Sequence, residues 1–242
     1  MSGCIFAFVM DPMESVEPLA DTSFAFMLAA QERGHRLLHV DRAKVSYVNQ
    51  RVYLHASHVR VNREASPCFE VDKKEWVAAN ECLAIFIRSD PPFDEAYLNL
   101  TWILSFAEAQ GVRIVNSTKG LREANEHLYG LHFPELSPAS LITSDKEQVV
   151  DFVEKHQGNA VAKPIDGHGG FGVVRLIQDD PNMHALIDML SFEGKTPFLV
   201  QEFIASDRPG DKRLLMVDGV LKGVVRRIPP ETDFRGNLHI GG

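Results

Sequence analysis

Ala160-Val161-Ala162-Lys163-Pro164-Ile165-Asp166-Gly167-His168-Gly169-Gly170-Phe171-Gly172 is the stretch that decides how this chain is read. Residues 160–164 have the apolar run of a buried strand, interrupted by one lysine, and Val173 to Ile177 resumes a strand after the glycines. A lysine in such a strand is either an edge guard or a cation carried on a buried stem toward an anion. The turn that follows favours the anion. Two glycines suffice for a plain hairpin turn, but four stand here, at 167, 169, 170 and 172. Glycines let a phosphate approach the backbone closely and expose its N–H groups. Lys163 with Gly167, Gly169 and Gly170 therefore predicts a phosphate site. The Gly-Lys-Ser/Thr ending of a Walker A loop is absent.

Toward the C-terminus, Ser144 with Glu147 predicts a capped helix running to His156. Met183 to Phe192 reads as a helix and Pro197 to Ile204 as a strand. The end of that strand, Gln201-Glu202-Phe203-Ile204, offers backbone groups that could read an adenine edge and an acid that could hold a ribose; a solvated strand end is the plainer alternative. Asp211-Lys212-Arg213 opens the next strand, and strand alternation puts Asp211 and Arg213 on one face. Leu214 to Val217 and Leu221 to Ile228 predict a hairpin across Asp218-Gly219. A guanidinium fork at Arg213 suits a polyphosphate; a salt-laced strand start is the plainer alternative. Arg226, Arg227, Arg235 and Asn237 bracket a proline-containing loop without periodicity; an arginine on such a loop can close over an anionic substrate, and a loop carrying only solubilising charge is the alternative.

Toward the N-terminus, Ile5 to Met10 reads as a buried strand broken by Asp11-Pro12. A helix capped by Asp21 or Thr22 and ended at Gly34 follows, then a short strand from Arg36 to Val40. Residues 45–63 predict short antiparallel strands. The strand Leu83 to Ile87 runs into Arg88-Ser89-Asp90-Pro91-Pro92-Phe93-Asp94, at the strand end where open α/β sheets bind ligands. Tyr97 to Ala109 predicts a helix, Val112 to Val115 a strand, and Thr118 to about Leu128 a further helix.

Composition limits the alternatives. At about 150 residues per domain, 242 residues make one large domain or two small ones. Lys and Arg number 25 against 33 Asp and Glu, a net charge of -8, which excludes a broad basic face for nucleic acid or membrane. Cys4, Cys68 and Cys82 form no disulfide or zinc pattern, and residues 5–10 are too short an apolar run for a signal or a span. These features predict a cytoplasmic protein with no nucleic-acid or membrane partner.

The motifs together resemble the prokaryotic glutathione synthetases, members of the ATP-grasp ligases. The resemblance rests on residues 9–12, Val-Met-Asp-Pro, and residues 88–94, Arg-Ser-Asp-Pro-Pro-Phe-Asp. It continues through Ile114-Val115-Asn116-Ser117, Leu121-Arg122-Glu123-Ala124-Asn125-Glu126 and Lys163 to Gly170, then Gly210-Asp211-Lys212-Arg213 and Arg235-Gly236-Asn237-Leu238. It implies an α/β fold, an N-terminal open α/β (pre-ATP-grasp) domain followed by an incomplete ATP-grasp fold. Its parts would be 1–121, a substrate domain, 122–203, a central subdomain with the glycine loop, and 204–242, the start of a C-terminal subdomain with a lid loop.

The resemblance also implies chemistry. ATP would phosphorylate γ-glutamylcysteine, and glycine would displace the phosphate to give glutathione. Lys163 would contact the ATP phosphates, Gly167, Gly169 and Gly170 would cover them, and Gln201, Glu202, Phe203 and Ile204 would line the adenine. Asp211 would lie on the ribose side and Arg213 at the phosphates, while Arg235 and Asn237 would act from the lid over acyl phosphate and peptide. Arg88 would orient a substrate carboxylate. His127 stands where the family usually has a phosphate-binding lysine, and a neutral imidazole is a weaker partner for polyphosphate. The implied cofactors are ATP and Mg²⁺, two ions, with Mn²⁺ possible in their place. Their ligands belong to a segment beyond residue 242, so this chain carries no metal residues and is expected not to be competent alone. The family also implies a homo-oligomer. The alternatives are a catalytically inactive short homologue that binds nucleotide or a partner, and another ATP-grasp carboxylate–amine ligase.

Overall fold

A computed structural model describes residues 3–205, 210–230 and 234–235. The chain divides into two units, Met1–Ala124 and Asn125–Gly242.

The first unit is built on a six-stranded sheet. In chain order its elements are β1 (Ile5–Val9), α1 (Thr22–Glu32), β2 (Arg36–Val48), β3 (Arg51–Val61), β4 (Phe69–Ala78), β5 (Ala84–Ile87), α2 (Glu95–Ala109), β6 (Ile114–Val115) and α3 (Thr118–Glu123). The sheet order is β4-β3-β2-β1-β5-β6. Strands β2, β1, β5 and β6 run parallel, and β3 and β4 add an antiparallel meander. Strand alternation sorts the core onto two faces. Ala7, Val9, Ile85 and Ile87 pack with Leu100 and Leu104 of α2. Phe8 packs on the other face with Phe24 and Met27 of α1. Each such apolar side chain contributes about 1.5–3 kcal/mol when fully buried, which is why these short apolar runs fix the sheet.

Helix starts in this unit follow side-chain caps. Asp21 accepts from the Phe24 amide at 2.8 Å and Asp94 from the Tyr97 amide at 2.8 Å. Ser117 accepts from Gly120 N at 3.1 Å and starts α3. That helix ends at Glu123, five residues before the expected Leu128, because Asn125 turns the chain with its own side chain. The second strand is also longer than expected. It runs from Arg36 through Val48, since its polar outer half is held by the β3 register rather than by burial. Strand β4 lacks a clean apolar alternation (Glu70, Asp72, Lys73, Lys74, Glu75) and went unread in the sequence for that reason.

The second unit contains β7 (Ser140–Thr143), α4 (Lys146–Lys155), β8 (Asn159–Lys163), β9 (Val174–Ile177), α5 (Met183–Leu190), β10 (Phe198–Glu202), β11 (Asp211–Val217) and β12 (Val220–Arg227). Its antiparallel sheet has the order β7-β10-β8-β9. Val149 and Val153 of α4 and Ile187 and Leu190 of α5 pack on Ala160, Ala162, Leu176, Phe198 and Val200. The cap of α4 is Asp145, not Ser144. Its carboxylate accepts from the Glu147 and Gln148 amides at 2.9 and 3.2 Å, geometry that a serine one position earlier does not reach. Strands β11 and β12 pair across Asp218-Gly219, whose φ values of 51° and 74° suit a tight primed turn. No helix among the described residues is long and apolar enough to cross a membrane.

Candidate nucleotide site

Strand register decides which residues share the sheet face opposite α4 and α5. Residues directly paired across strands point the same way. Ala162 pairs with Val200 and Val174, and these face the helices. Val161 pairs with Gln201 and Arg175, and Lys163 with Leu199, so these five residues take the opposite face. Lys163 and Gln201, both singled out in the sequence, thus belong to one surface. Glu202 pairs with Ala160 and falls on the helix face, leaving its backbone rather than its carboxylate on the strand end. The Glu202 amide in turn donates to Ala139 O at 3.0 Å.

Lys163 is half-buried, and that burial holds its ammonium below the usual 10.5, with Glu126 working the other way. A cation already stripped of part of its water gains more from an arriving anion than a solvated one. The loop beyond it is shaped by glycine. Gly169, Gly170 and Gly172 have φ values of 62°, 82° and 71°. A Cβ on Gly172 would sit 2.7 Å from Pro164 Cγ. The start of the loop is held by the segment that opens the unit. Asn125 Nδ2 donates to Ile165 O at 3.1 Å, and His127 Nε2 lies 2.8 Å from Gly167 O. Burial first, and Lys163 second, lower the His127 pKa below 6.5 and keep the ring neutral. Arg235 Nη1 donates to Gly170 O at 2.8 Å, bringing the expected lid arginine onto the loop.

The other expected residues have partners and surroundings of their own. Asp211 is engaged by Arg227 through a two-pronged ion pair across the hairpin, Nε to Oδ1 at 3.0 Å and Nη2 to Oδ2. Arg213 lies exposed on β11 opposite Val225. Ile204 is exposed, and Gln201 Nε2 donates to Ser140 Oγ at 2.9 Å. Asn237 lies outside the described residues. Two residues went unread in the sequence. Arg175 lies over the Phe203 ring at 4.1 Å and donates to Asn159 Oδ1 at 2.8 Å, so a cation–π contact and a hydrogen bond fix it on the Lys163 face. Its position two residues into a strand of alternating pattern carried that signal. Arg175, Phe203, Glu202, Asn159, Lys155 and His156 line a cavity of about 430 Å³. The second is Ser23, whose hydroxyl meets Arg88.

In the first unit, Arg88 follows the C-terminal end of β5, a parallel strand. Its Nε donates to Ser23 Oγ at 2.9 Å, and Ser23 is buried in the first turn of α1. The neighbouring Asp90 amide donates to Asp11 Oδ2 at 2.7 Å, which ties the two strand ends together. Among the described residues no group of three or more His, Cys, Asp or Glu is arranged to hold a metal ion.

Comparison with known proteins fits this arrangement. The family model for the prokaryotic glutathione synthetase N-terminal domain matches residues 5–122, and that for the prokaryotic glutathione synthetase ATP-grasp domain matches residues 126–242. The chain belongs to the prokaryotic glutathione synthetase family. A relative named glutathione synthetase from Synechocystis sp. is 36% identical over 245 residues, covering 98% of this chain and 76% of its own length. Another from Shewanella oneidensis is 37% identical over 235 residues, covering 97% of this chain and 74% of its own length. Among solved structures, a RimK domain ATP-grasp protein from Sphaerobacter thermophilus matches with a TM-score of 0.61 at 16% identity, covering 93% of this chain and 73% of that one. The D-cycloserine synthetase DcsG matches with a TM-score of 0.61 at 18% identity, over 93% and 68%. These two establish the ATP-grasp fold. Lys163, the glycine loop and Arg235 fall within the residues of this chain that the ATP-grasp model matches.

Proposed function

We propose that this chain works in the ATP-dependent joining of γ-glutamylcysteine to glycine, giving glutathione, ADP and phosphate. The observation that carries the reading is the half-buried Lys163 at the mouth of a loop built on three left-handed glycines, in a member of this family. A carboxylate oxygen of γ-glutamylcysteine bonds to the γ-phosphorus of ATP while the β–γ bridging bond breaks. The glycine nitrogen then bonds to the acyl carbon, the C–O bond to phosphate breaks, and the amine loses a proton. The first step brings two anions together, so charge stabilisation is the main demand. Lys163 answers it as a fixed cation, and the loop residues Gly167, Gly169 and Gly170 admit the phosphates close to the backbone. Arg235, on the Gly170 carbonyl, is assigned to the acyl phosphate, together with Asn237. Arg213 is assigned to the phosphates, Phe203 to the adenine, and Arg88 to a substrate carboxylate.

ATP is the cofactor, and Mg²⁺ is its usual companion in such ligases. We assign two ions, replaceable by Mn²⁺, but the described residues present no ligand set for them, so the roles above are those of this chain's own cations and amides. A cytoplasmic homo-oligomer acting on small molecules accords with the family and with the negative net charge of -8. Supplying the polypeptide with γ-glutamylcysteine, glycine, Mg²⁺ and ATP tests the reading. With the metal-binding segment expected beyond residue 242 supplied, ADP and glutathione should form in equal amounts. ADP released only with a different acceptor amine would point to another ATP-grasp ligase, and failure of Lys163→Met to weaken ATP binding would remove the assigned site.

A further inference from the structure

The segment that opens the second unit makes two bonds to one side of the glycine loop. Asn125 Oδ1 accepts from the His127 and Leu128 amides at 2.9 and 3.1 Å, and this frees its Nδ2 to donate to Ile165 O at 3.1 Å. His127 Nε2 is 2.8 Å from Gly167 O. A carbonyl cannot donate, so Nε2 carries the proton and Nδ1 is the bare nitrogen of the neutral ring. The side chain of His127 is 17% exposed, and water therefore competes weakly for this bond.

Peptide planarity carries the consequence further. In a trans peptide the C=O of one residue and the N–H of the next point in opposite directions. The peptides following Ile165 and Gly167 are trans. With both carbonyls drawn toward residues 125–127, the N–H groups of Asp166 and His168 point away from that segment. Among the described residues, neither amide has a hydrogen-bond partner.

We propose that Asn125 and His127 are positioning residues of the phosphate loop: by holding the Ile165 and Gly167 carbonyls they aim the Asp166 and His168 amides at the phosphates of a bound nucleotide. The proposal rests on the nucleotide reading of this loop. It also gives the imidazole at 127 a task. A planar ring presents one directed N–H to a carbonyl, whereas an ammonium on a flexible stem presents three rotatable ones. The charge that a lysine would bring is left to Lys163. The charged groups around His127 are Lys163 on β8, Glu126 on its own segment and Asp166 on the loop.

The test uses the whole 242-residue chain, with AMPPNP and adenosine as paired probes. His127→Phe removes the donor at similar size, His127→Gln restores an N–H donor, and Asn125→Ala removes the other bond. Thermal unfolding of each variant reports on folding separately. AMPPNP affinity should fall about tenfold in His127→Phe and in Asn125→Ala, the loss of roughly one well-made hydrogen bond in each case. Adenosine affinity should stay unchanged, and His127→Gln should recover most of the loss. In amide NMR spectra of the wild type, the Asp166 and His168 signals should move downfield with AMPPNP, and much less in His127→Phe. Undiminished AMPPNP affinity in both variants, or equal losses for AMPPNP and adenosine, would overturn the positioning role while leaving the nucleotide site standing. A wild-type chain that bound adenosine and AMPPNP equally would remove the nucleotide reading and this proposal with it.

Discussion

Arg88 and Ser23 stand 65 residues apart in the chain and meet at 2.9 Å, guanidinium Nε to hydroxyl Oγ, where the first turn of α1 passes the end of β5. The bond leaves the two terminal nitrogens of the fork for a ligand, and a fork presented that way suits a carboxylate. Ser23→Ala should raise the KM for γ-glutamylcysteine a few-fold and leave the KM for ATP unchanged. It should also cost about 1 kcal/mol of stability, since Arg88 loses a partner in a half-buried place. Arg88→Ala should raise that KM more steeply. Steady-state kinetics with the expected metal-binding segment supplied and each substrate varied in turn separates the two effects.

Lys163, at the end of β8, is the cation proposed for the phosphates. Replacing it with methionine keeps the stem and removes the charge, so packing on the sheet should survive. A hydrogen bond to a charged group is worth about 1.5–3 kcal/mol, which predicts roughly ten- to hundredfold weaker binding of AMPPNP by calorimetry. Lys163→Arg should fall between, because the longer planar head does not fit a site set for an ammonium.

Two glycines make a controlled comparison. Gly172 and Gly219 have φ values of 71° and 74°, so alanine is strained at both by about 1–2 kcal/mol. Only at Gly172 does the new Cβ also meet an obstacle, Pro164 Cγ at 2.7 Å, whereas at Gly219 nothing lies within 4 Å. Gly172→Ala should therefore destabilise more than Gly219→Ala in chemical denaturation. It should also impair nucleotide binding, which Gly219→Ala should leave intact.

Thiol reactivity should divide sharply. Cys4 is exposed, while Cys68 and Cys82 are buried. Burial, reinforced by Glu81, pushes the Cys82 thiol up to about 12, so its thiolate is scarce at pH 8. Alkylation of the native chain at pH 8 should label Cys4 quickly and Cys82 only on unfolding, as read by peptide mass spectrometry.

His127 gives stability a pH dependence with a definite sign. Its folded pKa is lowered below 6.5 by burial and by Lys163. As pH falls through 6.5 the unfolded chain takes up a proton at this ring before the folded one does, so stability declines with falling pH and levels off below the folded pKa. Above 6.5 the contribution is constant. Denaturation midpoints measured from pH 7.5 down to 5 should fall less steeply in His127→Gln than in the wild type.

Much of this molecule was written in local sequence. The strand Ile5–Val9, the cap at Asp21, the hairpin across Asp218-Gly219 and the pairing of Lys163 with a glycine loop follow from periodicity, capping chemistry and backbone freedom. Those are short-range forces, and they act between residues a few positions apart. The antiparallel strand Phe69–Ala78 escaped that reading because its outward face is charged and its inward face is only partly buried; cross-strand pairing with β3 makes it a strand. The candidate residues show the same division. Residue types and order made Lys163 and Arg235 candidates, and the family resemblance added Arg88. The sheet register that puts Arg175 on the Lys163 face and turns Glu202 to the other belongs to tertiary structure alone. So do the bonds from Asn125 and His127 to carbonyls 40 residues away. A sequence carries the donors and acceptors of such bonds. Only the packed chain decides which of them meet, because each meeting depends on the positions of many other packed residues at once.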